Sequence, residues 1–359
     1  MGKSPGTSAR SRSRSKSSST RSTPSSSEKK KPASRSRSRS SSRKEKTKQA
    51  ASRTIEPWLE TLCVDAIKSE LAPGKTKDNF FYLLSVIQLP ILLVLARFVI
   101  QDPLLEQVTL INVCGHWLGF IIAELLGTNK WFDVTEDVVY LYSFFHVLRS
   151  VRSPTEGQVA ILLCAFVWIF RLVGFLGYRI IVRGSDWRFD ALIKNRAYNL
   201  FGWTCGGTWC VLNGFCLWVV AAEGRTIDGA LTITTKVGLA IFIFGLFFET
   251  LSDWQKFHFS GRGKKWIQSG LWGLSRHPNY LGEITVWFGL ATACVGALKM
   301  SDSFRVQALM CLISPIWSAF FLFFTSLMLL EKRANDRWGK QADYIQYKKT
   351  VPILLPFHV

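Results

Sequence analysis

The chain has 359 residues, of which 48% are hydrophobic, with 14 Trp and 26 Phe, yet its formal net charge is +20. The charge gathers in an N-terminal stretch without aromatic residues, and the apolar residues fill the remainder as long runs separated by short polar loops, which excludes a soluble globular enzyme. Eight Cys, mostly within or beside apolar runs (Cys114, Cys164, Cys205, Cys210, Cys216, Cys294, Cys311) and without CxxC spacing, imply buried thiols, with neither a disulfide framework nor a metal site expected.

Residues 1–53 are almost wholly Ser, Arg, Lys, Thr and Pro, as in Ser11-Arg12-Ser13-Arg14-Ser15 and Ser34-Arg35-Ser36-Arg37-Ser38-Arg39-Ser40. Such a composition cannot bury enough apolar surface to offset ordering entropy, so a disordered tail is expected. Its cations suit anionic lipid or nucleic acid, and its serines suit an Arg/Ser-directed kinase, whose phosphates would turn a cationic segment zwitterionic. No apolar run follows the first residues, so no cleavable signal peptide is expected. Residues 54–78 read as an amphipathic juxtamembrane segment, with Trp58, Leu62 and Ile67 apolar before Pro73-Gly74.

Eight apolar runs follow, near 79–100, 107–127, 134–149, 158–182, 198–222, 231–251, 280–298 and 306–330; the third is short and polar. The expected class is an all-α polytopic membrane protein with about seven or eight transmembrane helices. An even number places both termini on one side, and the basic tail and loops (Arg183, Arg188, Lys194, Arg196; Lys256, Lys264, Lys265; Lys332, Arg333, Arg337) make that side the cytosol.

Three groups of polar residues sit where polarity is costly. Arg276-His277-Pro278-Asn279-Tyr280-Leu281-Gly282-Glu283 opens the seventh run: Pro278 suits a first helical turn, His277 or the loop before it caps the helix, and the unpaired N–H groups beside Arg276 form an anion site. Asn279 and Glu283, four apart, share one helix face, and a carboxylate that deep in a membrane helix marks a functional site unless it merely pairs with Arg276. Glu249 and Asp253 are four apart at the C-terminal end of the sixth run, where the helix dipole disfavours them; ribose hydroxyls, an adenine amino group, Lys256 or Arg262 would serve as donors. Arg171 lies mid-run and should face the protein interior or a wet cavity, Arg179 is free to snorkel, and the loop Arg183-Gly184-Ser185-Asp186-Trp187-Arg188-Phe189-Asp190 pairs acids and bases as a compact clasp.

The blocks Glu249-Thr250-Leu251-Ser252-Asp253-Trp254-Gln255-Lys256-Phe257, Gly270-Leu271-Trp272, Ser275 to Glu283, Leu330-Glu331-Lys332-Arg333, Ala342-Asp343-Tyr344 and Tyr347-Lys348 resemble the C-terminal domain of the steroid 5α-reductase superfamily. Arg171-Leu172 and Asp186-Trp187-Arg188-Phe189-Asp190 are similar to its large, poorly characterised branch, and the likeness runs from about residue 130 to the end. The resemblance implies a helical membrane reductase that takes hydride from NADPH and adds it to a carbon–carbon double bond conjugated to a carbonyl, in a lipid or steroid-like substrate. Residues 79–230 then form the N-terminal transmembrane helices and 231–359 the cofactor-binding membrane domain. Family cofactor positions carry over residue for residue to Asp253, Asn279 and Glu283, and by neighbourhood to Lys256, Arg262, Arg276, His277, Tyr280, Tyr344 and Lys348. Arg171, Arg179 and Glu249 complete the candidate set, with Glu249 standing where the steroid enzymes have an amide. The tail resembles those of splicing factors and of the lamin B receptor.

Hydride delivery to an enone builds negative charge on its oxygen, so a donor is needed in a dry cavity. The steroid enzymes use a Tyr assisted by a Glu on early spans; Glu124, Glu136, Tyr140, Tyr142, His116 and His146 are available here, and Tyr140 or Tyr142 with Glu136 is the preferred pair. Two alternatives stand beside the reductase. Isoprenylcysteine carboxyl and phospholipid methyltransferases, which bind S-adenosylmethionine, share an Arg-His-Pro-x-Tyr-x-Gly helix start, but their paired glutamates are absent because Glu331 precedes Lys332. A non-catalytic nuclear-envelope anchor for the Arg/Ser tail is the other. Endoplasmic reticulum and nuclear envelope are the expected membranes.

Overall fold

Each apolar run folds as a helix in a computed structural model of the chain. The described residues are 75–354, apart from 185, 190–191, 223–224, 228 and 260–264, and all belong to the unit Glu56–Val359. The Arg/Ser tail, most of the juxtamembrane segment and Arg262 lie outside the described residues. The order is α1 Lys75–Val94, continued by a π-helical turn Leu95–Ile100, α2 Pro103–Leu126, α3 Phe132–Ser150, α4 Glu156–Arg183, α5 Arg196–Asn213, α6 Phe215–Ala221, α7 Ile233–Phe257 and α8 Pro278–Ala297. Then come α9 Phe304–Cys311, α10 Ile313–Phe321, a π-helical stretch Leu322–Leu327, α11 Met328–Trp338 and α12 Ala342–Thr350. Among the described residues no strand occurs, only an isolated bridge between Thr226 and Leu298.

The helix ends are written locally. Asp102 accepts from the Leu104 N–H ahead of Pro103, Thr155 and Gln158 form a reciprocal capping box, and Asn195 and Thr232 cap α5 and α7. Gly127, at φ 64°, closes α2 in the left-handed region. His277 occupies the N-cap position of α8 as expected but makes no side-chain cap bond.

Among the described residues six helices are long and apolar enough to cross a membrane: Asp78–Phe98, Pro103–Leu126, Glu156–Arg183, Ile233–Phe257, Pro278–Ala297 and Phe304–Trp338. The helices α5 and α6, bent by 47° around Gly214, make a seventh if they are one span. The eighth expected span, α3, forms its helix but does not meet that standard, because Asp133, Glu136 and Asp137 crowd its first two turns. An even count, which places both termini on one side, follows if neither the α5–α6 pair nor α3 crosses or if both do.

Helix α8 is the most buried of the spans, and α7 runs antiparallel against it at backbone contact. Glycine makes this possible. Gly282, Gly289 and Gly296 recur every seventh residue on α8 and meet Gly238 and Gly245, also seven apart, on α7. A Cβ on Gly289 would lie 2.4 Å from the Phe242 nitrogen, and one on Gly282 would lie 2.6 Å from that of Glu249. Small residues drive such pairs in lipid, where apolar side chains gain nothing by leaving the hydrocarbon. Trp168, Trp218 and Trp287 fill the core around this crossing.

Candidate functional site

The Gly282–Glu249 contact fixes where two functional segments meet. It seats the last two turns of α7 against the first two turns of α8, so Glu249 and Asp253 share one end of the bundle with Asn279 and Glu283. The donors for the α7 carboxylates come from α4, not from Lys256. Arg171 forms an ion pair with Glu249 and a second, at 3.0 Å, with Asp253, while the Trp168 indole donates to Glu249 at 2.9 Å. Arg171 therefore faces the interior, as its position in an apolar run requires. Lys256 lies instead over the Trp272 ring, 4.8 Å from its centroid.

Glu283 does not pair with Arg276. Glu331 on α11 takes that role, accepting from the Arg276 guanidinium at 2.6 Å and contacting His277 Nε2 at 2.8 Å. Glu283 has no hydrogen bond among the described residues and stands within electrostatic range of Glu249, Arg171, Asp253 and Glu136. Burial draws the His277 pKa below its ordinary value against the opposing pull of Glu331. The neutral ring donates through Nε2–H to Glu331 and leaves Nδ1 as an acceptor.

A second cluster closes the same end. Arg179 reaches Asp133 at 2.5 Å and Asp186 at 3.3 Å, and Arg188 reaches them at 2.8 and 2.7 Å. Arg179 is thus tied down, not snorkelling, and the expected clasp closes onto the start of α3. Trp187 in that loop lies under Arg333 of α11, 3.6 Å from ring centroid to guanidinium. Burial by itself would raise the Asp186 carboxyl, but hydrogen bonds and charge from Arg188 hold it below the ordinary range. Its contribution to stability is therefore complete above the ordinary carboxylate pKa of about 4 and is lost as pH falls through the lower folded value.

The remaining candidates divide. Tyr280 stacks on His277 with centroids 5.6 Å apart. Tyr344 packs into an aromatic cluster with Trp266 and Trp338, and Lys348 donates to Asn335 at 3.1 Å, within electrostatic range of Glu331. On α3, Tyr140 is fully buried between Trp209 and Trp218, one turn beyond Glu136. Tyr142, by contrast, faces outward and is 59% exposed, because two residues along a helix turn the side chain to the opposite side. His146 is an exposed partner of Gln107, and Glu124 holds Asn199 at 2.7 Å, so neither reaches the cluster.

Trp168 and Asp133 belong to the site without having stood out in the sequence, and Glu331 stood out only as part of a motif. Each acts through a partner more than 45 positions away, as the pairs Trp168–Glu249, Asp133–Arg179 and Glu331–Arg276 show, and no local spacing announces such pairs.

Polar capacity remains unused at this end of the bundle. Arg171 Nε, His277 Nδ1 and Asn279 Oδ1 are buried without a hydrogen-bond partner among the described residues. Native interiors rarely leave such atoms unmatched, so one donor and two acceptors here fit a polar ligand.

No curated protein and no solved structure matches the chain. Residues 119–351, more than half of its length and including the whole Arg171, Arg179 and Arg276 network, match the family described as "Protein of unknown function (DUF1295)", and the chain belongs to that family.

Proposed function

We propose that this protein is a membrane oxidoreductase of the steroid 5α-reductase superfamily that uses NADPH to reduce a carbon–carbon double bond conjugated to a carbonyl in a lipid or steroid-like substrate. The unmatched Arg171 Nε, His277 Nδ1 and Asn279 Oδ1 carry it, because ribose hydroxyls and a carboxamide offer both the donors and the acceptor these atoms lack. Asp253, Asn279 and Glu283 would hold the nucleotide, with Glu249 beside them. Arg179 and Arg276 already have carboxylate partners, so they position the site, Arg171 pairs with two carboxylates and keeps Nε for the ligand, and Lys256 supplies cationic charge for phosphate.

When bound, the cofactor supplies the hydride. The chain must bind the enone, keep water out and stabilise the oxygen on which charge develops. The Tyr140 hydroxyl is buried with no partner among the described residues, and a hydroxyl in that state is available to donate to such an oxygen. Glu136 stands one turn before it, within electrostatic range of Glu283, which links this hydroxyl to the nucleotide end.

Thermal unfolding of the detergent-purified protein tests the assignment. NADPH is expected to raise the midpoint and S-adenosylmethionine to leave it unchanged; at saturating nucleotide, about 100 times the dissociation constant, the gain is about 2.7 kcal/mol. Asn279→Ala and Glu283→Gln should each cut NADPH affinity by about fivefold or more, the loss of one buried hydrogen bond of roughly 1–3 kcal/mol, with insertion unchanged. Unaltered affinity in both variants sinks the site, and stabilisation by S-adenosylmethionine moves the protein to the methyltransferases.

We place the protein in the endoplasmic reticulum or nuclear envelope with both termini in the cytosol, which requires an even number of crossings: six, or eight with the α5–α6 pair and α3 both counted. Exposed Lys349 should then react with an impermeant amine reagent once the plasma membrane alone is opened. Protection under that condition leaves seven crossings and a lumenal C-terminus.

A further inference from the structure

A second set of polar side chains lies outside the nucleotide end. His116 on α2, Glu136 on α3 and Cys210 on α5 bring Nε2, a carboxylate oxygen and Sγ within 4.8 Å of one another. His116 and Cys210 are fully buried, and Glu136 is partly buried. The His116 ring is fixed by its other nitrogen: Nδ1 donates to the Asn112 carbonyl at 2.7 Å, which leaves Nε2 an acceptor, and Nε2 is buried with no partner among the described residues. That is the arrangement a metal-ligating histidine has, with one nitrogen oriented by a backbone carbonyl and the other aimed at the ion. Space for the set is made by Gly206, one turn before Cys210. A Cβ there would lie 2.9 Å from the imidazole Cδ2 and 3.2 Å from both Nε2 and the Glu136 carboxylate.

We propose that His116, Glu136 and Cys210 bind a divalent metal ion of the zinc class, each ligand supplied by a different helix. Imidazole with thiolate suits zinc, and three protein ligands leave the fourth tetrahedral position open. Tetrahedral bonds of about 2.0–2.3 Å set ligand atoms about 3.3–3.8 Å apart, so side-chain rotation must draw the three atoms, now within 4.8 Å of one another, together by about an ångström on binding. Charge points the same way. A bound dication displaces the thiol proton and balances the charges of the thiolate and carboxylate that ligate it, so the loaded site is neutral within the bundle interior. The site does not depend on the nucleotide assignment. With the ion bound, Glu136 is a ligand, and the donor role falls to Tyr140 alone.

Metal content of the detergent-purified full chain, prepared without chelator, tests this by mass spectrometry of the elements. Wild type is expected to hold close to one zinc per chain, and Cys114→Ser, an exposed cysteine on the same helix as His116, should match it. His116→Ala and Cys210→Ala should lose at least about tenfold in zinc affinity. Because either variant risks misfolding, cobalt is added to stripped wild type as a second measurement: a thiolate-to-cobalt charge-transfer band that is absent from monodisperse Cys210→Ala supports the site. Folded wild type that holds no zinc and develops no cobalt band overturns the proposal, as does retention of the metal by both variants. NADPH-induced stabilisation is read separately on the same preparations, so failure of the metal site and failure of the nucleotide site are distinguishable.

Discussion

A Gly289→Leu variant is expected to lose its native fold in detergent. A Cβ at this position meets the Phe242 backbone nitrogen at 2.4 Å, and backbone cannot move aside as a side-chain tip can. The antiparallel α7 and α8 would have to separate along their whole crossing, which breaks the contact between Gly282 and Glu249 as well. Overpacking a tight core costs about 1–3 kcal/mol, and a backbone clash falls at or above the upper end of that range. Gly174→Ala on α4 is the control: nothing lies within 4 Å of its Cβ position, so the change should be neutral or stabilise by roughly 0.5–1 kcal/mol through helix propensity. Midpoints of thermal unfolding and the fraction of monodisperse protein check both. Equal stability of the two variants would show that close α7–α8 contact does not hold the bundle together.

Arg171→Met should also be strongly damaging, for an electrostatic reason. The guanidinium is the ion-pair partner of both Glu249 and Asp253, with side-chain exposures of 16%, 3% and 12%. Removing one member of a buried ion pair leaves charge without compensation and costs about 3–5 kcal/mol. The triple variant Arg171→Met, Glu249→Gln, Asp253→Asn removes the stranded charges and should recover much of that loss; on the proposed nucleotide assignment, NADPH affinity stays low in it because Asp253 is gone. A triple variant no more stable than Arg171→Met would mean that Arg171 acts through packing of its stem instead. Urea titration in detergent separates these outcomes.

Much of this architecture is legible in local sequence. Apolar run lengths place every long helix, Asp102-Pro103, Thr155 with Gln158, and Pro278 mark helix starts, and the cost of charge in hydrocarbon singles out Arg171, Glu249, Asp253 and Glu283 as residues with a purpose. The glycines seven apart on α7 and α8 are equally visible as a spacing, and they explain why these two helices lie at backbone contact. Partner choice is different. Arg276 stands just ahead of a helix face bearing Asn279 and Glu283, yet its carboxylate is Glu331, 55 positions away; the α7 carboxylates find Arg171, and Arg179 finds Asp133. Tyr140 and Tyr142 are alike in sequence, and only the rotation of α3 in the bundle buries one and exposes the other.

The helices, their approximate ends, the class of protein and the costly polar residues all follow from composition and period within single segments, so sequence suffices for them. Packing was needed to settle which charges pair, which tyrosine is interior, and that His116, Glu136 and Cys210 converge. Helix formation and membrane partition are local free energies, whereas ion pairing and ligand geometry depend on how helices distant in sequence are rotated and packed against each other.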